Sequence, residues 1–421
     1  MRSIVKRLTF LIVLMTLLGV QAWAGQYTVI VHVAAGANIK AIAEAYDGKV
    51  LDTLDTGTYL LQLKLTSPKY PVTGVEWMES DQSVGPSKIR GAVVSVTART
   101  APNWYAQQPA FQLIRETEAL QLSRGAGIVV ADINSLVDYS HPALRGHLTA
   151  GFDFVLGKPS DVSLNQSTAS FLDQSTASFL DQSTASFLDQ STASFLDQST
   201  ASFLDQSTAS FLDASNPAHG HGTLVAGIIA AIAPDALIMP IRAFDDQGQS
   251  DQFTIAKAIY WAVDHGADVI NMSFGTMEKS KVLKDAIEYA NKQGVTLVAS
   301  AGNDNTETEQ YPASYDKVIA VAATNLWDMK TSFSNYGKPV DVSAPGASII
   351  APYPQGYYAI VSGTSFASPI VAGEAALLRS LLQKENMKDR IRKNVIKIDH
   401  RNPGWKMGEG RIDLRLALEK K

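Results

Sequence analysis

The sequence predicts an α/β protein with a largely parallel, three-layer arrangement: a sheet with helices on both faces, preceded by a small α+β domain. The first observation is a series of short, continuous apolar runs, as expected of strands buried on both faces. These runs lie at residues 128–131, 236–239, 267–270, 295–298 and 318–321. The second is that amphipathic segments lie between them, near residues 222–232, 251–265 and 279–293. Strands that alternate with helices favour a parallel sheet, whose reactive groups collect at the carboxyl ends of the strands.

The composition is that of a globular chain with material for one large and one small domain. The chain has 421 residues, of which 46% are hydrophobic and 18% charged, and its net charge is −5. This balance disfavours a nucleic-acid surface or a polybasic membrane patch, so we expect no nucleic-acid partner. The chain contains no cysteine, so it forms no disulfide in any compartment.

Residues 1–24 predict a secretory signal peptide. Arg2, Lys6 and Arg7 form a basic start, an apolar run follows over residues 8–20, and Ala-Trp-Ala at 22–24 is a small-x-small cleavage site. The alternative is an uncleaved membrane anchor, but the run is shorter than the ~20 apolar residues of a spanning helix. We therefore expect a secreted protein, extracellular or periplasmic, that is monomeric and leaves the membrane once the signal is removed.

Residues 25–85 predict a compact α+β domain. Strand patterns occur at residues 27–33, 48–51, 58–64 and 75–79, and a short helix pattern at 39–46. Residues 86–110 contain Pro86, Pro102 and Pro109 and predict an irregular linker. The large domain then occupies residues 111–421.

Residues 166–213 are six copies of Gln-Ser-Thr-Ala-Ser-Phe-Leu-Asp. A period of eight gives neither a helical stripe nor a one-sided strand, because Phe and Leu fall on changing faces. We favour a low-complexity insertion in a surface loop, where added length costs little closure entropy. A display or adhesion role and an added β-stack are the alternatives.

Four polar residues suggest acyl-transfer chemistry, which needs a nucleophile, a base, an acid that orients the base, and donors for the oxyanion. Asp132 follows the run at 128–131, and His221 stands at the start of a helix rich in small residues. Asn303 ends the motif Ser-Ala-Gly-Asn, and Ser365 lies in Gly-Thr-Ser-Phe-Ala-Ser-Pro at 363–369, directly before an apolar helical run.

Each residue also has an ordinary structural explanation. Asp132 could be a turn residue, and Ala-Gly-Asn is common turn chemistry. His219 and His221 could form half of a metal site, but no other histidine or cysteine cluster completes it. The segment around Ser365 has Ala367 where the Gly-x-Ser-x-Gly elbow has glycine, which disfavours a lipase or esterase.

Taken together, the motifs resemble those of the subtilisin-like serine peptidases, peptidase family S8. They are Asp132, His-Gly-Thr at 221–223, Asn-Met-Ser-Phe-Gly at 271–275, Ala-Gly-Asn at 301–303 and the segment at 363–369. The chain order Asp, His, Ser is that of subtilisin. The likeness covers roughly residues 110–418, and the repeats would then be inserted in the loop before His221.

The resemblance implies a role for each residue. Ser365 is the expected nucleophile, His221 the general base and Asp132 the residue that orients it, while Asn303 and the Ser365 backbone N–H would form the oxyanion hole. An extended substrate would pair with the backbone of Ser273, Phe274 and Gly275, and Ser300, Ala301 and Gly302 would wall the specificity pocket. Residues 25–85 would be an inhibitory propeptide and hence a partner of the mature domain.

Three departures from the family pattern qualify the resemblance. The family has Asp-Thr-Gly or Asp-Ser-Gly where this chain has Asp132-Ile-Asn, and Leu224 replaces a second histidine found in many relatives. Between Gly227 and Ala236 the chain is too short for the calcium loop of many subtilisins. We therefore expect no required cofactor; calcium has no support at that loop, and the sequence leaves other calcium positions open.

The sequence thus predicts a secreted serine endopeptidase that cleaves protein or peptide substrates through a Ser365 acyl-enzyme. The alternative is a catalytically silent scaffold of the same fold that displays the repeats as an interaction surface.

Overall fold

The structure is a computed structural model that describes most of the chain. The described residues are 27–54, 57–86, 93–97, 103–160, 220–382, 385–402, 404 and 406–419. The predicted signal peptide and the octapeptide repeats lie outside them. The chain divides into two compact units: the described residues up to Gln82 together with Ser280–Val282 form the first, and the remainder form the second.

The first unit has one helix and four strands. Its elements are β1 (Tyr27–Val33), α1 (Ile39–Ala45), β2 (Lys49–Thr53), β3 (Thr58–Leu63) and β4 (Val75–Ser80). The strands form an antiparallel sheet in the order β2-β3-β1-β4. Alternate residues of a strand share a face, so Val29, Val31, Leu61 and Leu63 are buried together and pack against Ile42. This is the small α+β arrangement predicted from the sequence.

The second unit contains the remaining elements, apart from Lys281 and Val282 at the start of one helix, which belong to the first unit. Its strands are β5 (Ser83–Pro86), β6 (Val93–Thr97), β7 (Val129–Asn134), β8 (Gly151–Asp153), β9 (Lys158–Ser160), β10 (Leu237–Arg242), β11 (Ser250–Asp251), β12 (Val269–Met272), β13 (Phe274–Gly275), β14 (Thr296–Ser300), β15 (Val318–Thr324), β16 (Val342–Pro345), β17 (Ile349–Tyr353), β18 (Tyr357–Val361), β19 (Val395–Ile396) and β20 (Arg411–Ile412). Its helices are α2 (Asn103–Ala106), α3 (Pro109–Leu113), α4 (Glu116–Ala119), α5 (His221–Ile232), α6 (Gln252–Asp264), α7 (Lys281–Lys292), α8 (Thr364–Leu381), α9 (Met387–Lys393) and α10 (Leu414–Leu418).

Ten of the described strands form the central sheet, in the order β19-β20-β16-β15-β14-β12-β7-β10-β8-β9. All neighbours are parallel except the edge pairs β8/β9 and β19/β20. Two small sheets, β11-β5-β13 and β17-β18-β6, lie outside it. Helix α8 packs against α5 and against β12, β14, β15 and β16. The predicted fold class, a largely parallel α/β sheet with helices, is confirmed.

Two local differences from the sequence-based prediction matter for function. Strand β7 continues to Asn134, three residues past the apolar run at 128–131. Residues 86–110, predicted to be an irregular linker, contain strand β6 and helix α2 and begin at the end of β5. In the described part of the chain, no helix is long and apolar enough to cross a membrane.

Helix α8 carries a buried acid in its middle. Glu374 is fully buried, and neither carboxyl oxygen has a hydrogen-bond partner among the described residues. Burial raises the pKa of Glu374 well above its ordinary value, with a smaller contribution from the charge of Asp413. The carboxyl group therefore keeps its proton to a higher pH in the folded chain than in the unfolded chain.

We predict that Glu374 makes the protein less stable as the pH rises. The unfolded chain releases this proton near pH 4.5 whereas the folded chain keeps it, so the unfolded state binds fewer protons and the free energy of unfolding falls. The loss is up to ~1.4 kcal/mol per pH unit between the two pKa values. E374Q should remove it, as measured by urea unfolding at pH 5 and pH 8. The exposed variant E288Q is the control, and an unchanged pH dependence in E374Q would contradict the prediction.

Candidate active site

His221 is positioned by the close approach of α5 to the loop after β7. Helix α5 begins at His221, after Gly220 in the left-handed conformation with φ 81°. A Cβ atom at Gly222 would lie 2.5 Å from the carbonyl oxygen of Ser135, closer than any side chain allows. The backbone N–H of Gly222 also donates to Ser135 Oγ at 3.1 Å. The glycine therefore lets the first turn of α5 contact the end of β7.

The imidazole of His221 contacts Asn134, the last residue of β7. The distance from His221 Nδ1 to Asn134 Oδ1 is 2.7 Å. The resemblance to the family predicts Asp132 in this place, but Asn134 makes the contact. Because residues two apart in a strand share a face, Asp132 lies behind Asn134 and makes no hydrogen bond to His221.

Asp132 is fully buried and accepts hydrogen bonds from two amide groups. Asn271 Nδ2 donates to it at 2.9 Å, and Asn134 Nδ2 lies 3.3 Å from both carboxylate oxygens. Asn271 reaches it from β12, where the two residues are neighbours in the parallel register. The Ser368 hydroxyl in turn donates to Asn271 Oδ1 at 2.8 Å. Asp132 is thus part of a polar network inside the sheet.

Burial changes the acid–base behaviour of both titratable groups. Desolvation raises the pKa of Asp132 to about 7, although hydrogen bonds from Asn271 and Asn134 act in the opposite direction. Desolvation lowers the pKa of His221 to about 4. The imidazole is therefore neutral at pH 7, and its Nε2 is buried with no hydrogen bond to a described residue. A neutral imidazole with an available nitrogen is the form in which histidine acts as a general base.

Ser365 lies in the first turn of α8, one residue after Thr364, and is buried. Its hydroxyl donates to the carbonyl oxygen of Ser273 at 3.2 Å, and Ser273 Oγ donates to the Ser365 carbonyl oxygen at 2.9 Å. The ring of Phe366 lies beside the His221 imidazole, with 5.6 Å between centroids. The residue after Ser365 therefore contacts the His221 ring, and the serine proton is directed to Ser273.

Asn303 is buried next to the start of α8. Its Oδ1 accepts hydrogen bonds from the backbone N–H and the hydroxyl of Thr364, at 2.9 and 2.8 Å. The amide nitrogen therefore points the other way, and a Cβ atom at Gly363 would lie 3.4 Å from it. The backbone N–H of Ser365 lies in a helical first turn, where no intrahelical carbonyl is available. Both donors of the expected oxyanion hole thus sit at the N-terminus of α8.

The expected substrate edge is occupied by the chain itself. Strand β5 lies between β11 and β13 and is antiparallel to both. Gly85 pairs with Gly275, and Val84 pairs with Ser250. The Val84 side chain is fully buried. A small pocket beside His221 is lined by Asn134, Ser135, His221, Phe244, Gly248, Ser273 and Phe274.

The expected pocket wall is buried at the end of β14. Ser300 is its last residue, followed by Ala301 and by Gly302 with φ 105°. A Cβ atom at Gly302 would lie 2.1 Å from Gln310 Oε1, and one at Gly275 would lie 3.1 Å from the same atom. The Gln310 side chain therefore lies between the two segments expected to bind substrate. In the described part of the chain, no group of three His, Cys, Asp or Glu residues could hold a metal ion.

Comparison with known proteins identifies the family. The profile described as "Subtilase family" matches residues 125–405, well over half of the chain. The chain belongs to the subtilase family. This membership places it among the serine endopeptidases.

Individual relatives agree with this assignment. Thermitase from Thermoactinomyces vulgaris is 32% identical over 329 residues, which cover 76% of this subtilase and 98% of thermitase. The minor extracellular protease Epr from Bacillus subtilis (strain 168) is 40% identical over 210 residues, covering 47% of this chain but only 33% of Epr. Fervidolysin from Fervidobacterium pennivorans, whose crystal structure is described as that of a keratinolytic enzyme, has the same fold, with a TM-score of 0.64 at 22% identity over 95% of this chain and 62% of that chain.

Sequence reasoning missed two residues of this subtilase site, Asn134 and Gln310. A signal for the first was present: the family pattern has a hydroxyl residue after the aspartate, and Ser135 follows Asn134 whereas Ile133 follows Asp132. Gln310 carried no such signal, because its place beside Gly302 depends on how residues 304–311 fold back.

We predict that His221 stays neutral down to about pH 4, because burial disfavours the charged imidazolium. A ¹⁵N NMR titration of the histidine rings measures this directly, with H221Q used to assign the signal. A His221 transition near the ordinary value of 6.5 would contradict the prediction.

Proposed function

We propose that this subtilase hydrolyses peptide bonds through a Ser365 acyl-enzyme, with His221 as the base and Asn134 as the residue that orients it. The observation that carries the proposal is the pairing of β5 with β13. Strand β5 is an extended segment paired with this edge, and Ser273, directly before β13, accepts the hydrogen bond of the Ser365 hydroxyl, which supports the binding of an extended substrate as an added strand.

The chemistry follows from the positions of the groups. Ser365 Oγ attacks the substrate carbonyl carbon while its proton moves to His221 Nε2, and the carbonyl oxygen becomes an oxyanion. Asn303 Nδ2 and the Ser365 N–H stabilise that charge; in a subtilisin, removing one such donor lowers kcat ~10²–10³-fold. The proton then passes from Nε2 to the leaving amine, and water hydrolyses the acyl-enzyme by the same route.

The Ser365 hydroxyl must turn before the first step. Its proton is engaged by Ser273 rather than by His221, so attack requires rotation about the Cα–Cβ bond. Catalytic hydrogen bonds commonly tighten only when substrate is bound.

We propose that residues 25–85 act as an inhibitory propeptide. Strand β5 fills the edge where substrate would pair, and Val84 is buried there. Cleavage of the chain just after β5 would release the edge for other peptides. The pattern of residues 1–24, and a relative named as an extracellular protease, support secretion.

A catalytically silent scaffold is the second candidate. Asn134 favours it, because an amide supplies no full negative charge to the imidazolium that forms during catalysis. Deleting residues 166–213 tests this role. If the protein is such a scaffold, the deletion abolishes binding to a partner. Proteolytic activity that persists after the deletion, with no loss of binding to any partner, would exclude the scaffold.

We predict that S365A abolishes covalent labelling by a fluorophosphonate probe, because Oγ is the atom that the probe modifies. S380A is the matched control, as Ser380 lies on the same helix α8. Intact-mass spectrometry measures the adduct. An equal adduct on S365A would show that another residue is the nucleophile.

We predict that N134D increases the labelling rate of Ser365 at neutral pH by ~10–10³-fold. In a serine protease of another fold, the reverse change lowers kcat ~10⁴-fold because the wrong histidine tautomer forms. Here the imidazole already faces an oxygen atom, so the tautomer is not changed, and N134D also loses the hydrogen bond from Asn134 Nδ2 to Asp132, so the increase should be smaller. Time courses of probe labelling measure the rate. An N134D rate at or below that of the wild type would contradict the role given to Asn134.

A further inference from the structure

The orientation of the Asn134 amide is determined by its neighbours. The backbone N–H of Ser135 lies 2.8 Å from Asn134 Oδ1, and because a backbone N–H only donates, the atom it meets must be the oxygen. On the other side, the Asn134 nitrogen lies 3.3 Å from both oxygens of Asp132, which only accept hydrogen bonds once the carboxyl group is ionised, as it is at pH 8. Turning the amide over would place nitrogen against N–H and oxygen against the carboxylate.

This orientation selects the tautomer of His221. Nδ1 lies 2.7 Å from the Asn134 oxygen, so Nδ1 must carry the imidazole proton. A neutral imidazole has a single N–H, and Nε2 is then unprotonated. That is the tautomer a general base needs, and it is the one that is lost when an asparagine presents its NH₂ to the histidine.

We propose that Asp132 is a positioning residue of this centre: it holds the Asn134 amide with its oxygen toward His221 and so keeps Nε2 available for the Ser365 proton. Its kinetic consequence rests on the proposed peptidase function, whereas the tautomer of His221 can be observed without turnover. Asp132 acts through Asn134 and contacts no reacting atom.

The variant D132N reverses the hydrogen bonding at this position. Asn271 Nδ2 donates to Asp132 Oδ1 at 2.9 Å, so the oxygen of the new amide would face Asn271 and its NH₂ would face Asn134. The NH₂ groups of residues 132 and 134 would then oppose each other, so only the Ser135 N–H would still favour the present orientation of the Asn134 amide, and the turned amide would become more populated. The turned amide would present its NH₂ to His221 and move the proton to Nε2.

The first experiment reads the tautomer in the full chain by ¹⁵N NMR of the histidine rings at pH 8. We expect the proton of His221 on Nδ1 in the wild type and a shift toward Nε2 in D132N. D413N is the control, because Asp413 is another buried acid, paired with Arg115 at 2.6 Å. The same tautomer in the wild type and in folded D132N would overturn the proposal, as would a shift in D413N of equal size.

The second experiment is a double-mutant cycle between Asp132 and Asn134, read as the rate of Ser365 labelling. In the wild-type background, D132N should lower the rate at least ~10-fold, with the ~10⁴-fold loss for a wrong tautomer as the upper limit. In the N134D background the side chain at position 134 is a carboxylate, which offers His221 an oxygen in either orientation. D132N should therefore change the rate by less than ~2-fold or increase it. A merely structural role of Asp132 predicts the same loss in both backgrounds, and that result would overturn the proposal.

The two experiments separate this inference from the proposed function. If no variant, N134D included, reacts with the probe while D132N still shifts the tautomer, the peptidase function fails and the positioning role stands. If labelling proceeds but depends on Asp132 equally in both backgrounds, the peptidase function stands and the positioning role fails.

Discussion

The contact between the first turn of α5 and the carboxyl end of β7 is the constraint on which the site depends. It exists because Gly222 has no side chain to meet the Ser135 carbonyl oxygen. The contact brings His221 against the last residue of the strand and not against the one two places earlier. The identity of the residue at that one position then decides what the histidine can do, and in this chain it is Asn134.

The polar groups around this contact form a connected set inside a mostly apolar core. Asp132, Asn134, Asn271 and Ser368 satisfy one another, and Ser273 joins the set to the backbone of Ser365. A buried network of this kind is stable only when each member finds a partner of the right type. Replacing a donor by an acceptor at one of these residues should therefore change the hydrogen bonds of the others, although the fold around them remains.

Much of the fold and most of the site could be predicted from the sequence, for reasons that are visible in particular residues. Apolar runs reveal strands buried on both faces, and the motifs around His221, Asn303 and Ser365 mark the ends of elements that meet at one edge. The end of β7 could not be predicted in this way, because Asp132 and Asn134 are polar although they are buried. The continuous apolar run stops at Ala131, whereas the backbone ladder with β10 continues to Asn134.

The position of β5 has a consequence for how the site meets other molecules. Since this strand is part of the same chain, its local concentration at the edge does not change on dilution, and short tethers give effective concentrations in the millimolar range. A free peptide must compete with β5 at this effective concentration, however dilute the protein is. One cut in the backbone after β5 would turn this intramolecular pairing into an ordinary complex that can dissociate. From then on, dilution and competing peptides would determine how much of the edge is free of β5.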